Sequence, residues 1–173
     1  MIIIGEKING AIPSIKQAIA ERNEALIIER TLAQAAAGAN FLDCAPSTAT
    51  EIEYETMVWL IGLMQGATNV PLCIDSPNAK LLARVIEEGH LNKPGMVNSV
   101  NEEGDKCETI FPLIAGTPWE VVGLTCDQEG IPADPAQKVE IAKRIIDKAV
   151  RYGVSLNQLH IDPCVMALAT MPS

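Results

Sequence analysis

The sequence predicts an α/β fold in which parallel strands alternate with crossover helices, and its spacing favours a barrel of the (β/α)8 type. Three observations carry this. Short apolar, β-branched runs alternate with longer amphipathic stretches along the whole chain, and buried parallel strands read as such continuous runs. Glycines and prolines fall at the junctions, where helices stop and start. The strands recur about every 31 residues, so the chain holds about six βα units where eight would need about 250 residues.

In order, the first strand is Ile2–Ile4, leading into Gly5-Glu6-Lys7-Ile8-Asn9-Gly10. A short helical turn over Ile15–Ala20 precedes the first main helix, Ala25–Ala37, which Gly38 ends as a left-handed cap. The second strand, Ala39–Asp43, runs into Cys44-Ala45-Pro46, and a helix follows over Thr50–Gln65 with Gly66 at its end. The third strand, Val70–Asp75, ends at Ser76; the helix Ala79–Glu88 stops at Gly89. The fourth strand, Gly95–Asn98, ends at Ser99 and feeds the helix Lys106–Ala115. The fifth, Glu120–Leu124, ends at Thr125. The helix Pro135–Tyr152 then opens with Asp134 as N-cap and proline at its first position, and closes at Gly153. The sixth strand is Gln158–Asp162. Six strands also suit a doubly wound sheet, although neither GxGxxG nor GxxxxGK[ST] follows the first strand.

Short polar side chains close five of the six runs. Asp43, Asp75, Asn98 with Ser99, Thr125 and Asp162 each lie at a carboxyl end, and Glu6 and Asn9 follow the first strand. Turn chemistry favours Asp, Asn and Ser at such places, but their recurrence on successive strands points to a shared site at a barrel mouth. Side-chain alternation places Phe41, Cys73, Met96 and His160 one step beneath Asp43, Asp75, Asn98 and Asp162. His160 therefore reads as an interior residue, and His90 as a surface residue at a helix exit.

The chain has 173 residues, 22 acidic and 13 basic, for a net charge of −9, and only 3% aromatics. That balance disfavours nucleic acid, anionic membrane surfaces and base-stacking platforms. No apolar run approaches the roughly 18 residues of a membrane helix, and the opening MIIIGEKING lacks the pattern of a signal peptide. Five scattered cysteines without a CxxC pair suit reduced thiols and give no support to a metal site. A cytoplasmic domain handling a small molecule is expected. Two ligands fit carboxylates and an amide in a mouth without a nucleophile–base pair. One is a pterin, whose amino and ring N–H groups form a donor edge; the other is a divalent cation.

The segments IGEKING, LDCAPS, LCIDSPNAK, MVNSVNEE, VVGLTCDQEGIP and LHIDP, in that order, resemble the methyltetrahydrofolate–corrinoid protein methyltransferases. These are pterin-binding TIM barrels related to the folate module of cobalamin-dependent methionine synthase and, more distantly, to dihydropteroate synthase. The resemblance implies transfer of a methyl group between N5 of tetrahydrofolate, or methyltetrahydrofolate, and a corrinoid carried by a partner protein. It implies that Asp75, Asn98 and Asp162 bind the pterin ring, with Asp162 on the 2-amino and N3–H edge, and that Glu6, Asn9, Asp43 and Ser99 support them. It also implies a homodimer, and a further asparagine near N5 after a seventh strand. That asparagine would lie beyond Ser173, so residues 1–173 are expected to be the N-terminal two-thirds of a barrel, weakly active and prone to self-association. A dihydropteroate synthase-like enzyme and a non-catalytic pterin-binding fragment are the alternatives. Against the former, DCAPS stands where that family carries Ser-Thr-Arg-Pro.

Overall fold

The structure, a computed structural model, describes residues 1–165. Six parallel strands form one sheet: β1 (Ile4–Gly5), β2 (Phe41–Cys44), β3 (Leu72–Asp75), β4 (Met96–Glu102), β5 (Glu120–Asp127) and β6 (Leu159–Asp162). Their order across the sheet is their order along the chain. Between them run α1 (Pro13–Ala20), α2 (Glu24–Ala36), α3 (Thr50–Ala67), α4 (Ala79–Glu87), α5 (Lys106–Ile114) and α6 (Pro135–Tyr152). Crossovers between parallel strands keep one hand, so a strand order that never reverses puts every helix on one face. A doubly wound sheet reverses its order at a switch point. The chain therefore forms a curled half-barrel, and the open-sheet alternative falls.

The core divides accordingly. Leu42, Ile74, Val97 and Val121 point outward into a cluster shared with Ile27, Leu60, Leu82, Phe111 and Ile145 of the helices. Burying such side chains contributes about 1.5–3 kcal/mol each. Phe41, Cys73 and Met96 point the other way and form a small inner layer with Ile4 and Val122. Alternation along each strand therefore holds, with polar positions one step above this inner layer.

Local chemistry starts the helices. Asn23 accepts a hydrogen bond from the Leu26 N–H, Asn78 from that of Leu81 and Asp134 from that of Ala136, as N-cap side chains do. Gly153 caps α6 with φ 81°.

Several boundaries differ from the sequence reading. Residues 13–20 form a full helix rather than a turn, because Pro13 presets the first position and Ile15, Ala18 and Ile19 bury one face. The first strand sits two residues later, its register pairing Ile4 with Phe41. Gly66 caps nothing: α3 continues through it to Ala67, and the capping residue is the extended Thr68. One helical glycine costs only about 1 kcal/mol, less than buried Met57, Leu60 and Met64 return. β4 and β5 run on past Asn98 and Leu124, through register shifts between Asn98 and Glu102. Arg144 on α6 reaches Glu102 at 3.0 Å and Asp127 at 3.4 Å, tying down both extensions. Among the described residues, no helix is long and apolar enough to cross a membrane.

Two strand approaches require glycine. A Cβ on Gly95 would lie 2.0 Å from the Leu72 carbonyl oxygen, and one on Gly10 2.0 Å from that of Pro46. Gly95→Ala is expected to lower stability by about 2 kcal/mol or more in urea denaturation, since backbone must move. Gly62→Ala, in α3 with open space around it, should instead leave stability unchanged or raise it by up to about 1 kcal/mol.

Candidate functional site

The carboxyl ends of β1 to β4 bring together four of the residues singled out in the sequence. Asp75 pairs in register with Asn98, and Asp43 pairs with Cys73, directly below Asp75 on the neighbouring strand. Asp43 is 1% exposed, and its Oδ1 is buried without a hydrogen-bond partner. Its pKa is pushed up to about 7, chiefly by burial and then by the nearby charges of Asp75 and Glu6; the Cys73 thiol and the Asn98 amide offset part of this. Asp75 is pushed up to about 6 by burial and by Glu6 and Glu53. Carboxylates this crowded and this dry hold protons near neutral pH, or exchange them for donors on a ligand.

Asn9 has a local duty. Its Oδ1 accepts from the Ala11 N–H at 2.8 Å and the Ser47 hydroxyl at 3.3 Å. With the bridge to Ala45, it laces the loops after β1 and β2 together at the rim. Ser99 follows Asn98 in β4 and is half-buried. Asp162 stands apart from the acidic group. It pairs with Leu124 across β5 and β6, is exposed, and accepts from the Cys164 N–H at 2.7 Å. That bond holds the carboxylate at the strand end, with no side-chain donor on Oδ2 among the described residues.

His160 lies one step below Asp162 on the inner face, as alternation requires, with its Nε2 2.5 Å from Glu120 Oε2. It is a partnered, half-buried histidine. His90 meets Glu88 and the Tyr54 hydroxyl on the helical side, away from the mouth. Among the described residues, no three His, Cys, Asp or Glu groups converge closely enough to hold a metal ion. Burial holds the Cys44 and Cys73 thiols far above their ordinary range and pushes Cys107 up to about 12, so they pack as small apolar groups.

One contributor escaped the sequence reading, and its partner was read there only as a strand end. Glu53 on α3 is 6% exposed and accepts from the Ser76 hydroxyl at 2.6 Å. Ser76 in turn accepts from the Asn78 N–H at 3.0 Å and donates its own N–H to the Asn98 carbonyl at 3.0 Å. This pair braces Asp75 from behind. A signal was present: Glu53 falls on the stripe of Met57, Leu60, Ile61 and Met64 that α3 buries, where a carboxylate needs a partner.

Comparison with known proteins points to a family. The pterin binding enzymes match residues 12–172. The chain is 48% identical over 172 residues to the methylcorrinoid:tetrahydrofolate methyltransferase of Eubacterium limosum, covering 98% of this chain and 63% of that protein. It is 29% identical to the methionine synthase of Mycobacterium tuberculosis, over 98% of this chain and 15% of that one. The chain thus spans less than two thirds of the curated relatives it matches. Among solved structures, dihydropteroate synthase from Xanthomonas albilineans in complex with 7,8-dihydropteroate superposes with a TM-score of 0.64 at 20% identity, over 94% of this chain and 58% of that chain. That from Burkholderia cenocepacia gives 0.62 at 17%, over 94% and 56%. At such identity the likeness shows the fold.

The raised Asp43 pKa has a consequence for stability. A carboxyl that binds its proton more tightly folded than unfolded favours the folded state fully below about pH 4, and that advantage disappears as pH rises through 7. Urea midpoints of the wild type are expected to fall between pH 4 and 7. Asp43→Asn, neutral throughout, should flatten that slope and be more stable than wild type at pH 8 by on the order of 2 to 4 kcal/mol.

Proposed function

The chain belongs to the pterin binding enzymes, and on that premise we propose that it takes part in methyl transfer between a methylcorrinoid protein and N5 of tetrahydrofolate. One observation carries the reading beyond kinship. Asp43 Oδ1 is an orphaned, buried acceptor in a mouth ringed by Glu6, Asp75 and Asn98, and a ligand rich in N–H donors answers that lack. The 48% identity to a methylcorrinoid:tetrahydrofolate methyltransferase supports the same ligand and a corrinoid-carrying partner. Dihydropteroate synthase chemistry has less support, since the likeness there is one of fold.

In this reading residues 1–173 act as one pterin-binding unit. Asp162 accepts from the 2-amino and N3–H edge of the pterin, Asn98 and Asp75 hydrogen-bond its remaining ring nitrogens, and Asp43, Glu6, Asn9 and Ser99 shape the mouth. A carboxylate that accepts two parallel N–H bonds along the donor edge fixes the ring plane, and therefore where N5 stands relative to the opening. In the direction towards methyltetrahydrofolate, the N5 lone pair attacks the cobalt-bound methyl carbon. The electron pair of the carbon–cobalt bond stays on cobalt, which passes from Co(III) to Co(I), and the N5 proton leaves. A carboxyl poised near neutrality, such as Asp43, suits the mouth of a site where a proton must be held and released. No covalent intermediate on the protein is needed, in keeping with a mouth that offers no nucleophile–base pair among the residues singled out.

Calorimetry with tetrahydrofolate tests the binding half. Asp162→Ala and Asp75→Asn are each expected to weaken binding by about tenfold or more, because each leaves ring donors or acceptors unmatched. Equal affinity in wild type and both variants removes the assignment. Wild-type affinity is expected to rise as pH increases through about 6, where Asp75 becomes the ionised acceptor. For the transfer half, loss of the methyl–Co(III) spectrum of a methylcorrinoid protein is expected on adding tetrahydrofolate and the protein. A flat trace with pterin binding intact would indicate a binding role alone.

A further inference from the structure

A second cavity, of about 390 Å3, opens on the rim between α1, the loop after β2 and the start of α3. It lies in the size range of small-molecule sites. Ile19, Ala20, Pro46 and Ile52 give it apolar lining, and Lys16 and Arg22 line it too. In a chain of net charge −9, two cations on one cavity are conspicuous. Among the described residues, neither forms an ion pair. The Arg22 guanidinium lies 4.5 Å over the Trp59 ring, which holds its plane while leaving N–H groups at its edge free. The Thr48 hydroxyl, also on the lining, is buried and lacks a hydrogen-bond partner. Ser47 joins this cavity to the mouth: it lines the one, and its hydroxyl bonds Asn9 at the rim of the other.

An apolar wall, a lone hydroxyl and two free cations describe a ligand with a flat apolar body ending in carboxylates. We propose that this rim cavity takes the p-aminobenzoyl-glutamate arm of the folate substrate, with Arg22 and Lys16 as partners for its carboxylates. The inference rests on the folate reading above and adds the part of the substrate that the strand-end residues do not reach. The aromatic ring packs on Ile19 and Ile52, and Thr48 meets the arm's amide. Arg22 offers two parallel N–H donors to one carboxylate, and Lys16 a point charge to another.

The test compares tetrahydrofolate with a tetrahydropterin that lacks the arm, by calorimetry on the full chain. The Arg22→Gln/Lys16→Gln double variant is expected to bind tetrahydrofolate about tenfold more weakly and the armless compound as wild type does. Wild-type affinity for tetrahydrofolate should also fall more steeply with added salt than that for the armless compound. Equal weakening of both ligands, or of neither, overturns the arm assignment and leaves the pterin site standing. If neither compound binds the wild-type chain, the folate reading itself fails and this inference falls with it. Ile52→Glu is a second probe: a charge set into the apolar wall should weaken only the ligand with the arm, and no difference between the two ligands counts against the proposal.

Discussion

The rest of the structure depends on one geometric constraint: successive crossovers return each strand beside its predecessor, with every helix kept on the same face. That face provides the large apolar interface with the helices. Among the described residues, the opposite face receives a thin layer of Phe41, Cys73 and Met96 with Ile4 and Val122 against it. Because the strands share one direction, their carboxyl ends gather on one side, and residues placed there meet whether or not they are close in sequence. Glu6 and Asp75, far apart along the chain, sense each other's charge for this reason alone.

Crowding of acids is destabilising unless something answers it. Asp43 and Asp75 respond by holding protons more tightly than isolated carboxyls. Glu53 takes the other course, accepting from a serine. The two differ in what the fold supplies: Glu53 has a donor built in, whereas Asp43 Oδ1 is buried without one.

Much of this was legible in the sequence, and for identifiable reasons. Strand identity came from β-branched runs, and facing from alternation, which correctly set Cys73 beneath Asp75 and Met96 beneath Asn98. Convergence of Glu6, Asp43, Asp75 and Asn98 followed from topology. Boundaries were less legible. Helix α3 passed through Gly66 because packing outweighed propensity, and β4 outlasted Asn98 because local shifts in pairing carried the ladder on. Glu53 was missed because a search for polar strand ends does not look at helices, although its place on a buried stripe marked it. The rim cavity was equally hidden. Its wall joins α1 to α3, and no sequence spacing announces that those two helices meet around an opening.

Helix α3 carries Glu53, the brace behind Asp75, and on the same first turns Ile52 and Thr56, which wall the rim cavity. One rigid rod therefore fixes the distance between the two regions, much as a ruler fixes the gap between two marks. Evolution cannot retune one region by shifting that rod without disturbing the other. Divergence within such a lineage should proceed by exchanging side chains in place, with insertions and deletions excluded from the opening turns of α3 and tolerated at its far end.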